Sequence, residues 1–421
     1  MSTFQSSLEA RIAEGPKGIL SAVVVGFGRD GKGKWWPLQV PSDKKPELTD
    51  SLDVVMRYEK SAGRQSWSSD TPASLDSTFW AFSCTKLLTT IAALQCVERG
   101  LVTLDTEVAT ILPELKDPQI VVPDGDSFTL KPATAKITLR HLLSHTSGLN
   151  YDAMNPLTIA WRKSRGEAPL VFSGRVKDSY STPLLFEPGE GWVYGGSIDW
   201  AGILVERLNG NVKLGEYVET NIFKPLGMKS STFDIKSRPD IQDKLLEMSY
   251  RGSDGLLVPS TSPYTGSSAE HSGGMGLVTS VADFAAVLMD LIRETPILLK
   301  SETVELMFKP QFPVGSAQHK GLLSQDSLHK QLTGIESGDA STPISFGLGG
   351  LITLEKVPNL PKGTLTWNGM PNIGWYVNRG LGQGGLFVTQ ILPAGDEISV
   401  QLLGQLERDA WKAYYAHHGG E

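Results

Sequence analysis

Two residues at the front of one apolar stretch, "FWAFSCTKLLTTIAALQCVERG" (79–100), have types and spacing that could do chemistry. From Leu87 to Val97 there is no charge, yet Lys86 sits at the entrance, three residues after Ser83. Residues i and i+3 share one face of a helix. An ammonium kept from water is disfavoured against the neutral amine, and that amine can take the proton of a neighbouring serine. A serine that opens a helix also offers an unpaired backbone N–H. Together these are the parts of an activated nucleophile. The spacing S-x-x-K is short and recurs by chance, and a lysine at a helix start is common on protein surfaces.

Other chemistries find less support. Cys84 and Cys96 are the only cysteines. Twelve residues apart on one helix, they would lie about 18 Å apart, beyond disulfide reach, and read as small core residues. His141 and His145 would share a helix face, but no third ligand is near, so no metal or other cofactor is expected. They read as holding backbone carbonyls at that helix's end. "GFGRDGKGK" (26–34) imitates a phosphate loop, but Trp35 follows the lysine and a strand follows the loop, so Asp30-Gly31 reads as a hairpin turn. "GLGQGG" (380–385) reads likewise. The 39 basic and 46 acidic residues leave a net charge of −7, with no basic cluster interleaved with aromatics, so no nucleic-acid partner is expected. The run 18–27 is too short to cross a bilayer, and no membrane partner is expected. The N-terminus lacks the apolar core of a secretory signal, and with two reduced thiols this points to the cytoplasm.

The elements that must position Ser83 follow from periodicity. A short helix is expected over 3–14, then a strand, a turn, and a second strand carrying Trp35 and Trp36. Residues 41–78 read as polar and turn-rich. Helices dominate from about 79 to 310. They include 137–148, with Thr138 as N-cap and Gly148 as a stop, 197–210 with Ser197 as N-cap and Asn209-Gly210 at its end, and an amphipathic helix over 280–292. Residues 311–342 read as a mobile surface loop. Beyond 340 come strands: "SFGLGGLITLE", "GTLTWNGMPNIGWYVN", "GGLFVTQIL" and "ISVQLLGQL", with His417 and His418 in a polar tail. The simplest packing is an α+β fold. An antiparallel sheet formed by 1–78 and 340–421 is flanked by helices, and 79–339 is a mainly helical region carrying the nucleophile.

Several blocks, in order, resemble the serine β-lactamase-like family of class C β-lactamases, penicillin-binding proteins and their esterase relatives. They are "SCTKLLTTIAALQCVERGLVTLDTEVATILPEL", "ITLRHLLSHTSGL", "FEPGEGWVYGGSIDWAGILVERLNG", "SGGMGLVTSVADFAAVL" and "TWNGMPN". "DWAG" and "SFGLGG" are most similar to fungal polyketide acyltransferases of the lovastatin (simvastatin synthase) type. The resemblance implies a β-lactamase/transpeptidase-like fold and a mechanism without cofactor. Ser83 would be the nucleophile, Lys86 its activating partner and Tyr194 the proton relay. The oxyanion hole would be the N–H groups of Ser83 and Met370. Trp367, Asn368, Gly369, Tyr151, Trp192 and Trp375 would be candidates for binding substrate.

Two departures bear on substrate. Where β-lactamases have Tyr-x-Asn, the third position is Gly196, and where they have Lys-Thr-Gly the chain has Trp367-Asn368-Gly369. Losing an amide and a cation disfavours anionic β-lactams and favours neutral, apolar esters or thioesters. The expected function is transfer of an acyl group through an acyl-serine, from a small-molecule thioester or ester, or from an acyl carrier protein, to an alcohol of a polyketide-like product. The alternatives are a carboxylesterase, a β-lactamase or peptidase, and a catalytically silent relative.

Overall fold

The structure, a computed structural model, describes residues 3–29, 54–264, 266, 270–336, 338–339 and 341–418. Its centre is an eight-stranded antiparallel sheet. In chain order the strands are β1 (Ser21–Arg29), β2 (Val54–Ser66), β3 (Ser69–Pro72), β4 (Ile344–Phe346), β5 (Leu351–Thr353), β6 (Thr364–Gly369), β7 (Ile373–Asn378) and β8 (Gln383–Val388). In space the order is β4-β5-β6-β7-β8-β1-β2-β3. The two ends of the chain meet where Val23 pairs with Val388 and Val25 with Leu386. The sheet thus closes over the long helical excursion between β3 and β4.

Both faces of the sheet are covered, which explains why β1 carries no polar side chain from Ala22 to Gly28. Its side chains alternate with period two. Val23, Val25 and Phe27 enter the main core, while Ala22 and Val24 join a second cluster with Phe4, Leu8, Leu402, Leu406 and Ala410. That second layer is made by the N-terminal helix Thr3–Ala13 and the C-terminal helix Glu397–His418. The opposite layer contains the nucleophile helix Thr85–Glu98 and the helix Val281–Ile292, whose N-cap Ser280 accepts from the Asp283 N–H.

Three readings of the sequence are corrected. "ISVQLLGQL" lies in the C-terminal helix, not in a strand. Leu402, Leu406 and Ala410 recur at four-residue intervals, and Asp396 caps the helix by accepting from the Ser399 N–H at 2.9 Å. His417 and His418 form its last turn. The segment 311–342 holds two helices, Ala317–Leu323 and Asp326–Thr333. Each buries one face, with His319, Leu322, His329 and Leu332 inside, and each histidine Nε2 meets a backbone carbonyl, Ile344 O at 2.9 Å and Leu322 O at 2.8 Å. Within 41–78 the structure has β2, β3 and a short strand Thr78–Trp80, paired antiparallel with Val278–Ser280. The expected turn at Asp30-Gly31 and the strand with Trp35 and Trp36 lie outside the described residues.

Smaller shifts have local causes. The helix expected over 137–148 is only Leu139–Leu143, and its cap is reciprocal. Thr138 Oγ1 accepts from the His141 N–H, and His141 Nδ1 accepts from the Thr138 N–H, each at 3.3 Å. His141 therefore closes the start of that helix and holds no carbonyl at its end. Ser197 is the first helical residue of Ser197–Leu208, and Gly196 is its cap.

Candidate active site

Ser83 sits in a 3-10 turn, Phe82–Cys84, that leads straight into the nucleophile helix. Phe82 has φ +44°, a left-handed conformation unusual for a side chain of its size. Such a conformation costs about 1–3 kcal/mol and persists only where packing enforces it. Here Phe82 is buried, with its ring 6.3 Å from that of Trp80. The turn leaves Ser83 half-buried while its neighbours are fully inside.

Lys86 is 2% exposed. Its Nζ donates to Tyr151 Oη and to Gly274 O, both at 2.9 Å, and lies 3.4 Å from Ser83 Oγ. Tyr194 donates from Oη to Ser83 Oγ at 2.6 Å. Its ring also faces the amine, with Nζ 4.8 Å from the centroid. Serine, lysine and tyrosine therefore converge on one oxygen, as a nucleophile with two adjacent proton carriers must.

Tyr151 stands behind Lys86 and is 4% exposed, so the structure places it as a partner of the amine rather than on a surface for substrate. Burial, and then the neighbouring Tyr194 and Asp199, push its phenol well above the usual range, which keeps it a neutral acceptor for Lys86. Burial likewise raises the Cys84 thiol, so this cysteine beside the nucleophile is a core residue and not a reactive thiolate.

The tyrosine loop is held from below by His145. The His145 carbonyl accepts from the Val193 N–H at 3.0 Å, and its imidazole packs 4.9 Å from the Tyr194 ring. That ring is fully buried, and desolvation holds it well below the usual histidine range, that is, neutral. It faces Tyr194, Trp192 and Phe346, so its ring fills an aromatic cluster instead of holding a helix-end carbonyl.

The other candidates divide. Trp367 packs against Tyr194 with centroids 5.3 Å apart, and Phe346 joins Trp367 at 5.4 Å and Trp192 at 5.6 Å. Trp375 is one strand further, opposite Trp367 in the β6–β7 register, and is buried. Asn368 donates from Nδ2 to Gln331 Oε1 at 3.1 Å, so its amide is engaged by the helix Asp326–Thr333. Gly369 backs directly onto the nucleophile turn, where a Cβ would come 2.6 Å from Ala81 O and 3.2 Å from Cys84 Sγ. Met370, half-buried, follows Gly369 directly at the end of that strand. At Gly196 a Cβ would overlap the Tyr180 ring, so tyrosine occupies the space a side chain would need.

A crevice of about 740 Å³ lined by Arg29, Glu305, Lys309 and Arg379 contains none of these groups. Convergence on the Ser83 oxygen, not cavity size, marks the site. Sequence reasoning missed Asp199, Ser272, Gly274, His145 and Phe346 as its neighbours. The one signal available was an aspartate at the start of the strongly apolar helix 197–208. No helix among the described residues is long and apolar enough to cross a membrane.

Similarity to known proteins agrees with this geometry. Residues 48–398 match the Beta-lactamase family. "Acyltransferase calJ" of Penicillium decumbens is 37% identical over 337 residues, 79% of this chain and 80% of its own length. "Lovastatin esterase" of Penicillium rubens is 33% identical over 376 residues, 86% of this chain and 92% of its own. The solved structure of unliganded simvastatin synthase (LovD) from Aspergillus terreus superposes with a TM-score of 0.81 at 30% identity, covering 99% of this chain and 98% of that one. The fold, the ordered blocks and these matches together establish that the chain belongs to the β-lactamase family.

Proposed function

We propose that this protein is a serine acyltransferase that passes an acyl group from a thioester or ester to an alcohol of a polyketide-like natural product. The observation that carries the reading is the 2.6 Å contact from Tyr194 Oη to Ser83 Oγ, with Lys86 Nζ on the same oxygen. In acylation, Ser83 Oγ bonds to the acyl carbon and its proton passes to the Tyr194–Lys86 pair. The bond to the leaving thiol or alcohol then breaks, and the pair returns the proton to it. Deacylation runs the same steps in reverse, with the acceptor alcohol as nucleophile. The N–H groups of Ser83 and Met370 would receive the developing oxyanion, consistent with the close approach of Gly369 to the nucleophile turn.

Transfer to an alcohol is favoured by the similarity to the acyltransferase and to simvastatin synthase. Hydrolysis is the second reading, favoured by the lovastatin esterase, which is similar over as much of the chain. The two share the acyl-serine and differ only in whether water or alcohol reaches it. β-Lactam hydrolysis is disfavoured by the Tyr180 ring against Gly196 and by Trp367 where the family's third motif carries a cation. A thioester donor, free or on a carrier protein, and two free cysteines fit a cytoplasmic setting. The test is product partitioning at saturating acyl thioester across a panel of polyketide-like alcohols. Ester as the dominant product supports transfer, and free acid with every acceptor makes the protein an esterase.

A further inference from the structure

Asp199 lies behind Lys86 and takes no part in the chemistry described so far. It sits in the first turn of the helix Ser197–Leu208, five residues after Tyr194, and is completely buried. Its Oδ1 accepts from Ser272 Oγ at 2.5 Å and from the Gly274 N–H at 2.9 Å. Gly274 in turn accepts Lys86 Nζ on its carbonyl, also at 2.9 Å. One residue is therefore held by the carboxylate at its nitrogen and by the lysine at its oxygen. The packing leaves it no slack, because a Cβ at Gly274 would overlap Asp199 Oδ2. Asp199 Oδ2 itself has no hydrogen-bond partner among the described residues, an expensive condition for a buried carboxylate.

We propose that Asp199 is a positioning residue for acylation, whose carboxylate holds Gly274 so that Lys86 stays beside Ser83, and whose negative charge sets how readily the amine gives up its proton. The proposal rests on the Ser83–Lys86–Tyr194 reading above. Burial holds the carboxyl above its ordinary range, against the weaker downward pull of the Lys86 charge and of the donors from Ser272 and Gly274. The titratable groups around the pair are Tyr151, Tyr180 and Tyr264 on the carboxylate's side, and Tyr194, His145 and Cys84 on the amine's. These are four phenols, a buried imidazole and a buried thiol, which leaves Asp199 as the one acid among them suited to answer a lysine charge.

The experiment measures the pH dependence of acylation of the full chain with a p-nitrophenyl ester, in Asp199→Asn and in Ser272→Ala. The asparagine keeps the acceptor for Gly274 but removes the charge. The site then loses its proton more easily, and the acidic limb of the profile moves down by about one pH unit. The alanine keeps the charge but removes a donor from it. The proton is then held more tightly, and the limb moves up. Opposite movements support the proposal. A limb that stays in place in both variants, with only the amplitude reduced, overturns it and leaves Asp199 as packing. Should Asp199→Asn fail to fold, Ser272→Ala decides alone, an upward movement supporting and no movement overturning. Intact-mass detection of acyl-Ser83 in the same samples keeps this result separate from failure of the nucleophile assignment, which would show as no adduct in the native enzyme.

Discussion

Tyr194 and Ser83, 111 positions apart, are joined by a hydrogen bond of 2.6 Å in which the phenol donates to the serine oxygen. Lys86 approaches the same oxygen from the nucleophile helix. Removing the phenol's oxygen should leave the fold alone, because the ring stays packed on His145 and Trp367. Tyr194→Phe should therefore lower the acylation rate about 10²–10⁴-fold, the range of a general acid–base group, with little change in Tm. Stopped-flow acylation by a p-nitrophenyl ester measures this, and near-normal turnover would remove the tyrosine from the mechanism.

Lys86 and Tyr194 act on one proton, so their losses should not add. Lys86→Ala should reduce acylation about as much as Tyr194→Phe, and the double variant should be scarcely worse than either single one. Independent, multiplicative losses would mean that the two serve different steps.

Substrate choice follows from Tyr180. Gly196→Asn would recreate the family's Tyr-x-Asn, but its Cβ meets the Tyr180 ring, which is buried and packs 5.7 Å from the Tyr151 ring. Overpacking of this kind costs about 1–3 kcal/mol. The variant should melt earlier and gain no β-lactam hydrolysis, while the native enzyme should prefer short p-nitrophenyl esters to a chromogenic β-lactam. Faster turnover of the β-lactam by either protein would contradict this.

Much of the site could be read before the fold. The i, i+3 spacing of Ser83 and Lys86, the uncharged run after them, and the Tyr194 loop are local features, and the structure brings these three together. What could not be read is non-local. Gly274 reaches Lys86 across 188 positions and Asp199 reaches Gly274 across 75, and no periodicity reports such a contact. Tyr151 was a candidate for binding substrate only through the resemblance. Its burial and the hydrogen bond it accepts from Lys86, 65 positions away, place it beside the lysine. The helices misread within 317–333 and at 397–418 have different causes. In the first pair histidines supply part of the buried face, so the polar composition hides it. In the second, a nine-residue window is too short to separate period two from period 3.6.

A buried acid away from the site gives a stability prediction. Glu407, on the C-terminal helix, is 1% exposed, and burial holds its carboxyl well above the usual range against the weaker pull of Arg408 and Asn359. A carboxyl whose folded value is raised contributes stability below its unfolded value, near pH 4.3, and loses it as pH rises toward the folded value. Glu407→Gln should then raise Tm by about 1–4 °C at pH 7–8 and change little at pH 4. Thermal melts across that range check it, and a variant less stable at pH 8 than the native chain would show that the ionised form is stabilised.

The central claim is that Ser83 carries the acyl group between donor and acceptor. Intact-protein mass spectrometry after mixing with a short acyl thioester tests it most directly, in the native chain and in Ser83→Ala, with and without polyketide-like alcohols. The account predicts one added acyl group in the native chain, mapped to Ser83, discharged faster when the right alcohol is present, and no adduct in the variant. An adduct that persists in Ser83→Ala, on Cys84 or any other residue of the site, would contradict it.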